Sequence, residues 1–360
     1  MEGNSLKVAV IAPPFTAVPP KGHGGTERCV YELVEGLTKR GHKVILFGAG
    51  NCKTSANFIK VFKKTIDKRA INPSLEEFSR SWRIEAVYLT QIMENLIEKE
   101  KDFDIIFNYS KNNYLFLPLS RFIKTPIINI LELPLFKEAE EIYSKFRNSN
   151  IVTVSYGQRK GFSKINYLAN IYNGTDLKKF EFCEKPKDYF LFLGAMALHK
   201  NPKDAILAAK RAKVKLILAG GKIRGQYFPE EIKPLIDGKK IRYVGEIDGK
   251  KKKDLLKNAR ALLLPIKWPE PFGLVMTEAM ACGTPVIAYP NGSAPEIIEN
   301  GKTGFLVKNI GEMVEAIKKI NKIDRRRCRE RVEKLFSTEK MAEEYEMLAC
   351  KMIEKQGKMC

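Results

Sequence analysis

Short apolar runs punctuated by glycine and proline recur along the chain. KVAVIAP, KVILFG, DIIFNY, PIINIL and IVTVSY fall in the first half, and YFLFLG, KLILAG, IRYVG, ALLLPI and PVIAY in the second. Such runs are too short for helices and too continuous for half-exposed strands, so they read as strands of parallel sheets covered on both faces. Between ALLLPI and PVIAY, the stretch from Phe272 continues through Leu274, Val275, Met276, Ala279, Met280 and Ala281 as a helix, which Gly283 stops before Pro285. The alternation predicts an α/β chain of two Rossmann-like parallel-sheet domains, each of about 170 residues. The stretch NFIKVFKKTIDKR at Asn57 to Arg69 has a different period. Phe58, Phe62 and Ile66 share one helical face, with Lys60, Lys63, Lys64 and Lys68 on the other.

The loop and helix after ALLLPI carry candidate chemistry. A helix start has backbone N–H groups without intrahelical partners and a partial positive charge, so it holds a phosphate without a metal. Gly273 lets such a ligand approach the backbone. Glu270 lies in the loop and Glu278 about two turns into the helix. Carboxylates repel phosphate but accept two sugar hydroxyls each, so the combination suits a nucleotide sugar. The spacing alone equally describes an ordinary helix with an exposed Glu278. In the first half, Gly24 and Gly25 between the first strand and the first helix permit a second close approach to phosphate, or simply a flexible turn.

PEPFGLVMTEAMACGTPVIA at Pro269 to Ala288 resembles the E-x7-E signature of the retaining family-four glycosyltransferases. KVAVIAPPF, GHGGTERCVYELVEGLTKRGHKVILFG, IYNGTDLKKF, LFLGAMALHKNP, IRYVGEI and GSAPEIIENGKTGFLV are similar to further family segments, so the resemblance spans nearly the whole chain. It implies the GT-B fold: two Rossmann-like domains facing a cleft, residues 1–172 on the acceptor side and 173–336 binding the donor. A terminal helix in residues 337–360 then crosses back onto the first domain. It further implies a retaining, metal-independent hexosyltransferase with no cofactor beyond its donor substrate, a UDP-sugar first and a GDP-sugar second, and an unknown acceptor. Glu278 would bind the ribose and Glu270 the transferred sugar. Backbone at Phe272, Gly273, Leu274 and Val275 would meet sugar and phosphate, and that at Val244 and Gly245 the base. Lys200, after Gly194, would stabilise the leaving diphosphate. Gly24 and Gly25 would contact that diphosphate as well.

Three departures from the family pattern stand out. Ala195 replaces an arginine beside Gly194, DIIFNY puts Phe107 and Tyr109 where relatives carry a histidine segment, and ILEL puts Glu132 where a histidine lines the cleft near the transferred sugar. They keep a second reading open, a catalytically degenerate sugar-nucleotide-binding protein. In the mechanism proposed for this family the departing phosphate takes the acceptor proton, so the missing histidine is survivable. An epimerase on the same fold is disfavoured by the Pro269 to Ala288 segment. A dinucleotide oxidoreductase is disfavoured because G-H-G-G-T departs from G-x-G-x-x-G.

Composition narrows the setting. The 44% hydrophobic content and mixed charge suit a globular chain, with apolar runs far too short to span a bilayer. Met1 to Phe15 reads as a first strand rather than an export signal. Seven scattered cysteines without C-x-x-C suggest neither a disulfide framework nor a zinc site, hence a cytoplasmic protein. The net charge of +21 is spread over both halves. It reads as a lysine-rich solvated surface, or more sharply as peripheral contact with an anionic membrane at its inner face, with Asn57 to Arg69 as the best support. The run Lys250 to Lys253 has no interleaved aromatics, which argues against nucleic acid. Asp102 and Asp104 precede a strand far from the phosphate loops, so no metal site is expected. His42 is read as a structural turn residue, while His23 and His199 flank the two phosphate loops.

Overall fold

A computed structural model describes residues 5–22, 24–66, 75–146, 148–221 and 225–357, leaving aside the side chains of 75–79. The chain divides into two compact units. The first comprises Met1–Val154, Arg159–Gly174 and Thr338–Cys360, and the second Ser155–Gln158 and Thr175–Ser337.

The first unit is built on β1 (Lys7–Ile11), β2 (Lys43–Ala49), β3 (Asn57–Phe62), β4 (Ile105–Asn108), β5 (Ile127–Leu131), β6 (Ile151–Thr153) and β7 (Tyr167–Asn170). Every pairing is parallel, in the order β3-β2-β1-β4-β5-β6-β7. Its helices are α1 (Gly25–Lys39), α2 (Leu75–Glu98) and α3 (Lys137–Lys145). β4 and β5 are buried at every position, as their unbroken apolar runs require.

The second unit carries β8 (Phe190–Leu193), β9 (Leu216–Ala219), β10 (Ile241–Tyr243), β11 (Leu262–Leu264), β12 (Val286–Ala288) and β13 (Gly304–Leu306). They form a six-stranded parallel sheet in the order β10-β9-β8-β11-β12-β13. Around it lie α4 (Pro202–Arg211), α5 (Gly249–Asn258), α6 (Leu274–Ala281), α7 (Ala294–Ile297), α8 (Ile310–Lys319) and α9 (Arg325–Leu335). The last helix, α10 (Thr338–Glu354), belongs to the first unit, where it packs on α1 and buries Tyr345, Ala349 and Ile353. This is the GT-B arrangement of two parallel-sheet α/β domains.

The structure overturns one predicted element. Residues 57–62 are not a helical face but strand β3, which pairs in parallel with β2 through Leu46 opposite Phe58 and Phe47 opposite Ile59. The β-branched Ile59 and Val61 suit a pleated edge, and with Phe62 they pack on the core beneath α2. Phe58, Phe62 and Ile66 therefore share no helical face, and the best support for a membrane-lying segment is gone. Lys68 and Arg69 fall outside the described residues. Among the described residues no helix is long and apolar enough to cross a membrane. The sheets also gain β7 and β13, which no apolar run announced.

Phe107 and Tyr109, which replace the histidine segment of the family pattern, are core residues of the first unit. Both are almost fully buried, and their rings lie 5.2 and 6.4 Å from that of Tyr345 on α10. Asp104 accepts a hydrogen bond from the Lys7 N–H at 2.9 Å, tying down the start of β1. His42 is buried and bonded to the Leu6 N–H and to Glu346, which fits a structural residue. Cys29, Cys52, Cys183, Cys282 and Cys328 are free thiols, while Cys350 is disulfide-bonded.

Candidate functional site

The second unit gathers most of the candidate residues where its strands end. The Gly194 N–H, directly after β8, donates to the Ala219 carbonyl at 3.0 Å. Gly220 follows β9 with φ +141°, and a Cβ there would lie 1.8 Å from the Gly194 carbonyl oxygen. Only glycine allows two backbones to run so close. Gly220 in turn donates to Gly245 at 2.8 Å, and Val244 donates to Leu218 at 3.0 Å. Gly194, Val244 and Gly245 thus form one continuous backbone edge, with Gly220 as its unforeseen centre. Glycine in KLILAGG was the signal available for it.

Lys200 lies in the next loop, before Asn201 caps α4 in a left-handed conformation. Its ammonium is ion-paired with the Glu270 carboxylate and sits 4.8 Å from the centroid of the Trp268 ring. The Trp268 indole N–H donates to that same carboxylate. The His199 ring lies 4.9 Å from that of Trp268, tilted by 53°, and burial, reinforced by Lys200, lowers its pKa against the opposing pull of Glu270. Lysine and glutamate, far apart in sequence, are therefore brought into direct contact. Trp268 is the residue that sequence reasoning missed, although it stands two positions before Glu270.

Glu270 is fixed through its backbone. The Ser293 N–H donates to its carbonyl at 3.0 Å, and the Ser293 hydroxyl donates to the carbonyl of Phe272. Gly292, with φ +58°, packs so tightly that a Cβ would lie 2.1 Å from the Glu270 carbonyl oxygen. Gly273 then opens α6 as its N-cap, left-handed at φ +76° and with no side-chain cap. The amides of Leu274 and Val275 stand at the start of that helix, where no intrahelical acceptor exists for them.

Glu278 meets a different lysine. Its side chain is 3% exposed, and the Lys252 ammonium of α5 lies 2.6 Å from the carboxylate. The ammonium donates to Oε1 and lies equally close to Oε2, so it faces both carboxylate oxygens. Glu278 is thus not the exposed helix residue that its spacing also allowed.

In the first unit Gly24 and Gly25 follow β1 and open α1, Gly24 having φ +138°. His23 lies outside the described residues. The carboxylate of Glu27, itself buried, would lie 3.0 Å from a Cβ on Gly24. Glu132 follows β5. Its Oε2 accepts from the Asn173 amide at 3.1 Å, while Oε1 is buried without a hydrogen bond. Burial pushes the Glu132 carboxyl up to about 8, with the Glu27 charge adding to that and bonds from Asn173 and Cys29 opposing it. At pH 7 an acid held mainly in its neutral form thus stands where relatives carry a histidine. The described residues hold no cluster of acidic, histidine and cysteine side chains suited to a metal.

Comparison with known proteins follows this geometry. Residues 175–335 match the family model described as Glycosyl transferases group 1. An uncharacterised glycosyltransferase of Methanocaldococcus jannaschii is 23% identical over 84% of this chain and 85% of its own length. Glycogen synthase of Mycobacterium tuberculosis is 32% identical over 37% of this chain and 34% of its own. Among solved structures, sucrose-phosphate synthase from Thermosynechococcus elongatus superposes with a TM-score of 0.75 at 20% identity, covering 97% of this chain and 99% of its own. Anabaena HepE in complex with UDP gives 0.71 at 18% identity, covering 95% and 99%. These structural likenesses show the fold alone. Residues 175–335 are thus similar to the group 1 glycosyltransferases, within a two-sheet architecture that the solved structures share.

Proposed function

We propose that this protein transfers a hexosyl unit from a nucleoside diphosphate sugar to an acceptor hydroxyl, with retention at the anomeric carbon and without a metal. The observation that carries the reading is the Lys200–Glu270 pair beside the open start of α6. A diphosphate at that helix start would draw the ammonium onto its oxygens, and the released Glu270 carboxylate would accept hydroxyls of the transferred sugar. The bond from the anomeric carbon to the diphosphate breaks, the bond to the acceptor oxygen forms on the same face, and the acceptor proton passes to the departing phosphate. Lys200 and the helix amides stabilise the charge that develops there. Glu278 takes the ribose, with Val244 and Gly245 at the base. Residues 173–336 hold the donor and residues 1–172 present the acceptor. HepE, solved with UDP and glucose, favours a uridine nucleotide as the first donor to try.

The Gly24–Gly25 loop is a weaker phosphate contact, because the Glu27 carboxylate beside it repels anions. Contact with a membrane is not part of the proposal, since its supporting segment is a strand.

Incubation with a panel of nucleotide sugars should give donor-dependent transfer or slow hydrolysis, insensitive to chelator and lost in Glu270→Ala and Lys200→Ala. Full activity in both variants would sink the assignment. Ala195 and the neutral Glu132 favour a second reading, a sugar-nucleotide-binding protein without turnover. Calorimetric binding with no turnover across donors and acceptors would select it.

A further inference from the structure

The Lys200–Glu270 pair is neutral as a whole, one ammonium facing one carboxylate, whereas the diphosphate of a nucleotide sugar is a dianion. The start of α6 offers only about half a positive charge. Lys267 does not close the gap, because its ammonium lies 3.7 Å from the Asp204 carboxylate, which also accepts from Asn201 and Tyr289. Among the described residues of the loops after β8 and β11, the remaining basic side chain is His199.

Its half-buried ring lies 4.9 Å from that of Trp268, and the Lys200 ammonium lies 4.8 Å from the centroid of the same indole. The Lys267 N–H donates to the His199 carbonyl at 3.0 Å, which ties the two loops together. Since Trp268 also donates to Glu270, histidine, lysine and glutamate are grouped around one indole. Opposing influences meet at the imidazole. Burial and the Lys200 charge hold its pKa below the usual 6.5, while Glu270 pulls it up. The ring is therefore mainly neutral at pH 7 until an anion arrives. A dianion at Lys200 pulls in the same direction as Glu270, and the indole face favours a cation.

We infer that His199 is a proton-linked binding residue of the diphosphate subsite: its imidazole takes a proton from solvent as the diphosphate arrives and supplies positive charge that the Lys200–Glu270 pair lacks. Donor binding is then coupled to pH through one side chain. This rests on the nucleotide-sugar reading above.

Calorimetry on the full chain with UDP-glucose and GDP-glucose tests it, since neither donor carries a phosphate proton to exchange near neutral pH. Titrations at pH 7 in PIPES and in Tris, buffers of different ionisation enthalpy, should report uptake of between about half and one proton per donor bound. A group whose pKa is lower free than bound strengthens binding fully below the free value, and the gain is lost as pH rises through the bound value. The wild-type association constant should therefore fall from pH 6 to pH 8, by up to about tenfold per pH unit. His199→Gln and His199→Asn should abolish both uptake and slope, and His199→Arg should bind tightly across the range with neither. Thermal unfolding reports which variants are folded. A ring that merely packs would lose affinity equally at every pH and leave the uptake in place. Donor binding by the wild type without proton uptake overturns the inference and leaves the nucleotide-sugar reading intact, as does uptake that persists in a folded neutral variant. A wild type that binds neither donor removes reading and inference together.

Discussion

Where the second sheet ends, Glu270 and Glu278 each face a lysine, whereas where the first sheet ends, Glu132 is held by an amide and a thiol with another carboxylate nearby. The two sheets share parallel topology and nearly continuous apolar strands. What separates them is the loops and helices that follow the strands. The loop after β8 and the helix α5 deliver ammonium groups in the second unit, and the first turn of α1 delivers Glu27 in the first. One edge therefore carries carboxylates paired with ammonium groups, a polar set suited to an anionic, hydroxyl-rich ligand. The other carries a protonated acid able to donate as well as accept.

Four measurements break or sharpen this contrast. Glu270→Ala should lower kcat/KM with a nucleotide sugar by about 10²–10³-fold, as the loss of a preorganised polar group does. Glu132→Gln, replacing an already neutral acid, should stay within about tenfold at pH 7. Equal losses in the two would erase the distinction. Next, Gly292→Ala forces a Cβ against the Glu270 carbonyl at a left-handed position, and urea titration should show a loss of about 3 kcal/mol. Gly25→Ala, with nothing within 4 Å of the added Cβ, should change stability by no more than about 0.5 kcal/mol.

The third measurement concerns pH. The Glu132 carboxyl is raised from 4.5 to about 8, so its contribution to stability is fully present below about 4.5 and is lost as pH rises through about 8. Glu132→Gln removes that dependence. Its stability relative to wild type should grow by up to about 1.4 kcal/mol per pH unit across the window, read from urea midpoints between pH 5 and 9. A constant difference would mean that Glu132 is ionised throughout. The smallest effect is expected of Trp268→Phe, which keeps a ring face for Lys200 and deletes the bond to Glu270. A rise of about fivefold in donor KM, near 1 kcal/mol, would fit.

What the sequence revealed was local. β11, α6 and β12 are written in a continuous apolar run, a helix of small and apolar residues, and the Gly283 and Pro285 stop, all within one window. Glu270 and Gly273 stand out there for the same reason. Residues 57–62 were ambiguous because Phe58 and Phe62 satisfy a helical spacing and a strand alternation equally, and only pairing with β2 decides between them. β7 is only half-buried at every position and β13 starts at Gly304 and is half-buried thereafter, so neither carries the continuous apolar run that announced the other strands. Lys252 was hidden by its neighbours, since four consecutive lysines carry no phase to show which one points inward. The state of Glu132 depends on Cys29, Glu27 and Asn173, and the burial of Tyr109 on Tyr345, all distant in sequence.

The return of α10 to the first unit orders events during synthesis. Residues 1–174 leave the ribosome first, yet the core around Phe107 and Tyr109 lacks Tyr345 until α10 is made. The second unit, contiguous from Thr175 to Ser337 apart from the short piece Ser155–Gln158, has nearly all of its chain earlier. The first unit is thus completed only after the second sheet has been translated.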